Sequence, residues 1–276
     1  MVSLTRIRSD NIVAMVKRQP RGTPSGGQFA RVDRPEPDGL VLDGESPPPG
    51  LERPMLRQVL DSAARLQQIV PDAVLVGGTA AALWANHRDS FDHDHVLSDL
   101  AERFDAVLDA IEATDGWVTN RAVPGKIVLG TLGGIETGIR QMIRKSPLEV
   151  QEIALPSGAH VRVPTPDETL RIKSYLIVRR NQTRDYVDVV ALADRYGVEH
   201  AAAVLARIDD YYADQREPGK AGVATQLVQQ LADPRPTDAR TTSQLDRYKG
   251  LDSRLADWAV ISSACRHLAA EIARQS

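Results

Sequence analysis

Cysteine is nearly absent from this sequence, and several classes of protein are excluded with it. The single cysteine, Cys265, forms neither an intrachain disulfide nor a cysteine-rich metal site, and its helical surroundings indicate a packing role. The sequence also lacks any run of about 18 apolar residues, and its N-terminus lacks the apolar core of a signal peptide. We therefore expect no membrane span, no secretory leader and a cytoplasmic location.

Aromatic residues are scarce as well, at 4% of 276 residues, whereas apolar residues make up 42%. This composition predicts a core of Leu, Val, Ile and Ala, arranged as one large domain or two modest ones. The net charge is −3, so a nucleic-acid partner would require a local basic patch and not a basic protein as a whole.

Proline and glycine are concentrated in residues 1–52, which also carry an excess of basic residues at their start. That composition opposes helix and sheet, so we predict a disordered tail. Residues 53–165 mix helical and strand patterns, whereas residues 166–276 are helical with loops. Gly133-Gly134 between two strand-like runs predicts a hairpin, Ser98 could cap the helix that follows it, and Thr165 and Glu168 predict a capping box at the start of the helical part. The sequence therefore predicts an α/β (α+β) core followed by a helical C-terminal part.

The residues that suggest chemistry follow the first predicted strand, Ala73–Val76, which ends at the turn Gly77-Gly78. A short helix is predicted from Thr79 to Asn86, and a second strand at His93–Val96. The backbone N–H groups of the glycine turn and the start of the following helix suit a phosphate group.

Asp92 and Asp94 stand at alternate positions on the second strand. Alternate residues of a strand project from one face, so the two carboxylates should lie about 6–7 Å apart on the same side. A pair of this kind can chelate a hard cation such as Mg²⁺. The stretch therefore predicts a phosphate-binding turn that faces a metal site.

Two stretches resemble known motifs. The turn Gly77-Gly78-Thr79, a spacer and then Asp92-x-Asp94 resemble the first motif of polymerase-β-like nucleotidyltransferases. The second stretch resembles the downstream signature of AbiEii/AbiGii-type nucleotidyltransferase toxins, and reads Glu168-x-Leu170-x-x-Lys173-Ser-Tyr, then Arg184-Asp-Tyr-Val-Asp188. Together these motifs extend the resemblance over about residues 70 to 197.

The resemblance implies a polymerase-β-like nucleotidyltransferase core with a mixed sheet, and transfer of a nucleoside monophosphate from a nucleoside triphosphate. It implies Mg²⁺ as the cofactor, with Mn²⁺ as an alternative. Several relatives modify the 3′ end of tRNA and are silenced by a cognate antitoxin, so it implies tRNA or another RNA and an antitoxin as partners. Its site residues here are the phosphate-facing Gly78 and Thr79, the metal ligands Asp92 and Asp94, a serine of some toxin branches at Ser90, the helix lysine Lys173, and the downstream acids Asp185 and Asp188.

The chemistry of nucleotidyl transfer fits these residue types. Metal ions stabilise the entering and leaving oxygens, and a lysine beside the phosphates offsets developing charge. Lys173 is the candidate lysine, and Asp185 and Asp188 share a helix face at i and i+3. A structural salt bridge is the competing interpretation of Lys173 and Asp185, and one pair could serve both purposes.

A third carboxylate, often the general base, is expected on a neighbouring strand. Glu136 is the candidate, because alternation places Glu136, Gly138 and Arg140 on one face of the strand-like run Ile135–Met142. Asp185 or Asp188 could serve instead, or the acceptor hydroxyl could depend on metal alone.

The flanking residues admit further interpretations. Imidazoles at His93 and His95 would favour Zn²⁺ or Mn²⁺, but on a strand they should face away from the aspartates. Arg88 could contact phosphate or merely cover the surface. A basic patch could receive RNA phosphates or be a solvated strand end, and it consists of Arg140, Arg144 and Lys145.

Three functions stay open from the sequence. The first is an RNA-modifying nucleotidyltransferase, the toxin of a toxin–antitoxin pair. The second is a nucleotidyltransferase that acts on a small molecule, as antibiotic-modifying enzymes do. The third is a degenerate domain that binds nucleotide without turnover. A basic acceptor cleft would favour RNA, and an acidic one would favour a small molecule.

Overall fold

A computed structural model of the chain describes residues 47–248 and 250–275. Seven strands form in the first part of this region: β1 Val74–Val76, β2 Asp92–Leu97, β3 Trp117–Val123, β4 Ile127–Leu132, β5 Ile135–Gln141, β6 Val150–Ala154 and β7 His160–Pro164. Three α-helices accompany them: α1 Pro54–Ile69, α2 Gly77–Ala85 and α3 Phe104–Glu112. Seven more follow: α4 Pro166–Arg180, α5 Thr183–Tyr196, α6 Val198–Ala206, α7 Ile208–Tyr212, α8 Val223–Ala232, α9 Ala239–Thr242 and α10 Trp258–Gln275.

Five strands form a mixed sheet in the order β1-β2-β5-β4-β3. The central pair, β2 and β5, is parallel, and the other pairs are antiparallel. The hairpin of β4 and β5 turns at Gly133 and Gly134, whose φ values of 59° and 85° are those that a two-residue hairpin turn requires. The hairpin predicted from the paired glycines is therefore confirmed, while β6 and β7 form a separate two-stranded sheet.

The hydrophobic core joins the two parts of the chain that the sequence pattern distinguished. Its larger cluster runs from Leu56 on α1 to Ile272 on α10, with the fully buried Tyr186 on α5 among its members. A smaller cluster, which includes Leu66, Val107 and Ile139, packs α1 and α3 against the other face of the sheet. The fold class is thus as predicted: a mixed-sheet α/β core with a helical C-terminal part, packed together as one body within Ser46–Ser276.

Local sequence signals determine where helix α4 begins and ends. Thr165 caps α4 by accepting a hydrogen bond from the Glu168 N–H at 3.2 Å, and Asn181 ends the helix in the left-handed conformation. The carboxylate of Glu168 does not complete a capping box, because it bonds Arg144 and Arg171 instead. Helix α3 begins at Phe104 and not beside Ser98, since turns occupy the intervening residues.

Of the predicted tail, residues 1–52, positions 1–46 lie outside the described residues. Its last residues, however, are structured: Pro49–Glu52 forms a 3₁₀ helix. Gly50 in this helix is buried against the backbone of Ala82 and Leu83, where a Cβ would collide. Order therefore begins earlier than the composition suggested. Among the helices described, none is long and apolar enough to cross a membrane.

Candidate active site

A cleft of about 1050 Å³ lies between one face of the five-stranded sheet and the C-terminal helices. Its volume is at the upper end of the range for ligand pockets. The sheet side is lined by the start of α2, the loop that follows it, β2 and β5; the helical side is lined by α4, the start of α5 and residues near Tyr248. The two motifs found in the sequence therefore face one another across a single cavity.

Three carboxylates line the sheet side of the cleft. Asp92 and Asp94 alternate along β2 and Glu136 stands on β5 directly beside Asp92 in the parallel register. Asp92 and Glu136 are exposed and Asp94 is partly exposed, whereas the intervening residues of β2 are buried on the other face. The structure thus brings Glu136 to the two aspartates, as strand alternation predicted.

Gly138 makes room for Asp94, and Gly77 lies beside it. Gly138 pairs with Asp94 in the sheet, and a Cβ at Gly138 would collide with the Asp94 carboxylate. A Cβ at Gly77, whose φ is 76°, would lie 3.5 Å from the Asp94 Cβ. Gly78 has a different neighbour, since a Cβ there would collide with the guanidinium of Arg88. The glycine turn at the start of α2 therefore adjoins both the carboxylate of Asp94 and the guanidinium of Arg88.

Thr79 and Ser90 hold Asp92 in place through their hydroxyl groups. Both are buried, and the Thr79 hydroxyl donates to the Asp92 carbonyl at 2.5 Å and lies 2.9 Å from Ser90 Oγ. Ser90 Oγ in turn donates to Asp92 Oδ1 at 3.2 Å. These two hydroxyls fix the backbone and carboxylate of Asp92. The phosphate-binding role that the sequence predicts for Thr79 and Ser90 stays a prediction.

A buried group of charges, the Asp188 cluster, lies beneath the cleft and consists of Asp188, Lys173, Arg88 and His87. Asp188 is fully buried and bonds Lys173 Nζ at 2.7 Å, Arg88 Nε at 2.8 Å and His87 Nε2 at 2.8 Å. Burial alone would raise the pKa of Asp188, but Arg88, Lys173 and His87 hold that pKa well below its usual value. Burial lowers the pKa of His87 more than Asp188 raises it. His87 is therefore neutral near pH 7 and the cluster has two cations around one carboxylate.

Burial and ion pairing change the roles expected of three residues: Asp185, Asp188 and Arg88. Asp188 and Asp185 are both fully buried, and neither lines the cleft, so neither can act as the base that accepts a substrate proton. Asp185 is bonded by Arg180 at 2.6 Å and lies 3.8 Å from Lys173 Nζ. Arg88 reaches the cleft wall, but its guanidinium is committed to Asp188, so it supports Gly78 more than it offers charge to phosphate. Lys173 keeps both interpretations, since it is ion-paired and also lines the cleft.

The histidines of β2 face the opposite side of the sheet. His93 Nε2 lies 3.0 Å from Ser62 Oγ and 3.1 Å from Thr137 Oγ1, and burial lowers the His93 pKa to about 4. His95 is fully buried and packs edge-on against His93, and burial holds its pKa well below the usual value. The zinc alternative is therefore wrong: neither imidazole shares a face with the aspartates.

Cations on the helical side stand opposite the acids. Arg180 on α4 and Arg184 on α5 line the cleft, and Arg184 is exposed. Arg247 is also exposed, and the neighbouring Tyr248 ring lies 5.8 Å from the Arg88 guanidinium. Sequence reasoning missed Arg180, Arg247 and Tyr248, because no local pattern shows that these later segments of the chain return to β2.

The expected basic patch is divided in the structure. Arg140 is exposed in the cleft beside Asp94, at 3.4 Å, and Lys145 is exposed. Arg144, in contrast, is buried, and its Nη2 bonds Glu168 at 2.7 Å and the Pro147 carbonyl at 2.9 Å. Arg144 therefore cannot serve as a solvated contact for RNA phosphates.

The chemistry of the acids suits a divalent cation. Among the residues that the structure describes, no three His, Cys, Asp or Glu side chains already surround one point as a metal centre. Mg²⁺ does not require such a cage, since it is commonly held by one or two carboxylates together with substrate phosphates and water. Asp92 and Asp94, both of which line the cleft, satisfy that requirement.

The arrangement of sheet, cleft and helices has a counterpart among solved structures. The structure resembles MenT4, a nucleotidyltransferase toxin from Mycobacterium tuberculosis, with a TM-score of 0.52 and 18% identity over 81% of this chain and 87% of that one. At this level of identity the likeness establishes the fold alone. No family model matches the sequence.

Sequence comparison finds similarity to a different group of proteins. The chain is 34% identical to the heme uptake protein MmpL11 of Mycobacterium tuberculosis over 242 residues, which cover 78% of this chain and 22% of that protein. It is 40% identical to the mycolic acid-containing lipids exporter MmpL11 of Mycolicibacterium smegmatis over 126 residues, or 46% of this chain and 13% of that one. The chain thus spans about a fifth of the length of the first of these proteins and about an eighth of the second.

Proposed function

We propose that the chain is a metal-dependent nucleotidyltransferase that moves a nucleoside monophosphate from a nucleoside triphosphate to RNA. The observation that supports this most directly is the opposition of two walls in one cleft. Asp92, Asp94 and Glu136 form the acidic wall on the sheet. The cationic wall on the helices is formed by Lys173, Arg180 and Arg184. A triphosphate carried by a divalent cation needs both, since the cation is bound by acids and the phosphate charge is offset by Lys and Arg.

In this proposal each side chain has a distinct task. Asp92 and Asp94 hold the divalent cation, which when bound neutralises charge on the triphosphate and the attacking oxygen. The backbone N–H groups at the start of α2, beginning at Gly77, receive phosphate oxygens. Lys173 and Arg180 contribute positive charge from the opposite wall.

The transfer itself needs one proton acceptor. The hydroxyl oxygen of the acceptor attacks the α-phosphorus, the bond from that phosphorus to the bridging oxygen breaks, and pyrophosphate leaves. Glu136 takes the hydroxyl proton, because its carboxylate is exposed to the cleft and stands beside Asp92. Asp188 fixes Lys173 and Arg88 below the reacting groups and takes no part in proton transfer.

The charge of the cleft favours RNA over a small cationic acceptor. Among its lining residues cations outnumber acids, and three of the cations reach solvent at the rim: Arg140, Arg184 and Arg247. Once the acids are occupied by a cation, these three exposed guanidinium groups leave the rim positive, as the backbone of an RNA requires. The 3′ end of tRNA is the proposed acceptor, because a single-stranded end can enter a cleft that a duplex cannot.

We further propose a toxic role, controlled by a cognate antitoxin. The likeness of this fold to that of the nucleotidyltransferase toxin MenT4 supports this proposal. Induced expression in a bacterial host should arrest growth, whereas expression of Asp92→Ala at the same level should not. Equal growth of both strains would argue against a toxin while leaving the enzymatic proposal intact.

The enzymatic proposal is tested by incorporation of α-³²P label from each of four nucleoside triphosphates into bacterial tRNA, with Mg²⁺. We expect label with the wild-type chain and none with Asp92→Ala or Asp94→Ala. Asp109→Ala is the matched control, since Asp109 is an exposed acid on α3 away from the cleft. Periodate oxidation of the tRNA removes the terminal hydroxyls and should abolish labelling if the 3′ end is the acceptor.

Other outcomes select the alternatives. Transfer to an aminoglycoside with none to tRNA would identify a small-molecule enzyme. Mg²⁺-dependent nucleotide binding without transfer to any acceptor would identify a binding domain. Retained label with Asp92→Ala would show that the acids are not the metal ligands.

A further inference from the structure

The sheet face that carries the acids continues beyond the cleft onto β4 and β3. Strand pairing sets residues side by side in rows across this face, and one row consists of Asp92, Glu136, Thr131 and Val118. The opposite face of β4 is buried in the smaller core cluster. No residue of β3 or β4 lines the cleft, so these two strands lie outside the space between the sheet and the C-terminal helices.

A β-bulge in β3 determines which of its side chains reach this face. The register against β4 shifts by one residue at Asn120, which pairs with no residue of β4. Regular alternation from Val118 would place Asn120 on the face of the acids and Arg121 on the other face. Because of the bulge, Arg121 pairs with Leu129, which in turn pairs with Gly138 beside Asp94. Bulges next to active sites commonly re-aim a side chain in this way.

The open surface of these two strands is apolar and basic. We call it the β3–β4 platform, and it consists of Val118, Arg121, Val123, Ile127, Leu129 and Thr131. Val118 is 59% exposed, Arg121 is exposed, and the other four residues are partly exposed. Neither strand contains Asp or Glu, and two further exposed cations, Lys126 and Arg140, stand at its border. This charge is complementary to the phosphates of a nucleic acid.

The groups proposed to bind the triphosphate indicate the side from which an acceptor arrives. Gly77, at the start of α2, follows Val76, which pairs with Asp94 from the β1 side of β2. Glu136, the proposed base, stands on the other side of β2, on β5. The entering and leaving oxygens of a phosphoryl group are roughly in line on opposite sides of the phosphorus. A hydroxyl that reaches Glu136 therefore comes from the side of β4.

We propose that the β3–β4 platform binds the single-stranded 3′ end of the RNA acceptor, and that Arg121 contacts a backbone phosphate there. Two strand spacings, or about 10 Å, separate Val118 from Glu136, so the platform can hold the nucleotides next to the reacting end. The bulge and the charge of Arg121 make the edge of β3 a poor template for an added protein strand. The inference rests on the proposed function in taking RNA as the acceptor and Glu136 as the base.

Binding of intact and trimmed tRNA tests the platform. The probe is fluorescently labelled bacterial tRNA, compared by anisotropy with the same tRNA after removal of its single-stranded 3′ nucleotides. Val118→Glu should weaken binding of intact tRNA about tenfold, equivalent to 1.4 kcal/mol, while trimmed tRNA binds within about twofold of wild type. Ala122→Glu is the matched control, because Ala122 is exposed on the same strand and pairs with Val128, whose side chain is on the buried face.

Arg121→Gln tests the phosphate contact. This variant should bind intact tRNA more weakly, and the slope of log Kd against log salt concentration should fall by about 0.7, the value for one contact with a single strand. Arg266→Gln is the matched control, since Arg266 is exposed on α10 away from the cleft, and it should keep the slope of the wild type.

Two further measurements apply to every variant. Thermal unfolding checks that the protein is folded, and calorimetry with Mg²⁺ and each of the four nucleoside triphosphates checks that the nucleotide site is intact. We expect both to match the wild type, because Val118 and Arg121 are exposed and lie outside the cleft. If Val118→Glu does not fold, the salt dependence of Arg121→Gln still decides the proposal.

The outcomes separate this inference from the proposed function. Wild-type affinity of both variants for intact tRNA, or equal losses for intact and trimmed tRNA, would overturn the platform even if transfer to RNA is observed. An equal loss in Ala122→Glu would show a general effect of charge and also overturn it. Unchanged tRNA binding with lost self-association of Val118→Glu in sedimentation would assign the surface to a second copy of the chain. Selective loss of intact tRNA, with no transfer by the wild type, would support the platform and contradict the enzyme.

Discussion

Replacing Asp188 by Ala should destabilise the protein severely, although the same change at Asp92 should not. Asp188 is fully buried and is the shared partner of Lys173 and Arg88, two cations that are themselves buried. The variant would leave both with their charge and without this carboxylate. Breaking a buried ion pair on one side costs about 3–5 kcal/mol, which is a large part of the 5–15 kcal/mol that typically stabilises a folded protein.

The assay is thermal unfolding followed by circular dichroism. For a protein of this size 1 kcal/mol shifts the Tm by about 2–4 °C, so Asp188→Ala should melt roughly 10 °C below wild type. Asp194→Ala is the matched control on the same helix, because its side chain is 57% exposed; a surface change of this kind is usually within about 0.5 kcal/mol. Adding Lys173→Met to Asp188→Ala should recover part of the lost stability, since one uncompensated cation is removed.

One result would refute this reasoning. If Asp188→Ala melts with the wild type and yet abolishes nucleotide transfer, the carboxylate is reached by substrate and acts in chemistry. The cluster would then belong to the reacting groups and not to their support.

Two further predictions concern β2 and β5. Gly138→Ala should lower kcat/KM about 100-fold, the effect of a misplacement near 1 Å, because its Cβ displaces the Asp94 carboxylate; a kcat/KM equal to that of the wild type would contradict the explanation. Burial lowers the pKa of His93 in the folded protein to about 4, despite the opposing charge of Asp92. Because the pKa of His93 in the unfolded chain is near 6.5, the stability that is present above pH 6.5 is lost as the pH falls toward 4. When the pH falls from 7 to 5, the free energy of unfolding measured with urea should decrease by about 2 kcal/mol less in His93→Gln than in the wild type. Equal decreases in the two proteins would exclude His93 as the source.

Local patterns predicted the acidic wall of Asp92, Asp94 and Glu136 well, because the direction of these side chains depends only on alternation along two strands. Alternation put Asp92 and Asp94 on one face, and the same rule at Ile135–Gln141 put Glu136 on the cleft side. The glycine pair identified the hairpin for a similarly local reason, since only residues that tolerate positive φ close a two-residue turn.

The same reasoning failed where burial decides the role. Asp185 and Asp188 share a helix face by spacing, but spacing does not tell whether that face is inside or outside. Only the packing of α5 against α2 and α4 shows that both acids are internal. Arg144 illustrates the same limit, because its partner Glu168 lies 24 positions away and the bond depends on how α4 crosses the sheet. Tyr248 and Arg247 reach the cleft through a return of the chain that no local pattern encodes.

Arg53, just before α1, links parts of the chain that are distant in sequence. Its guanidinium bonds Asn86 and Asp89 in the loop that leads into β2, and also the carbonyl of Gly250 near the C-terminal end. The loop that leads into β2 is therefore held by Arg53, which precedes it in the sequence, and through Arg53 is linked to Gly250, which follows it. A fragment trimmed to the recognisable motifs would retain every residue of the acid wall and lose this fastening, so the smallest active piece of the chain should be much longer than the motifs that identify it.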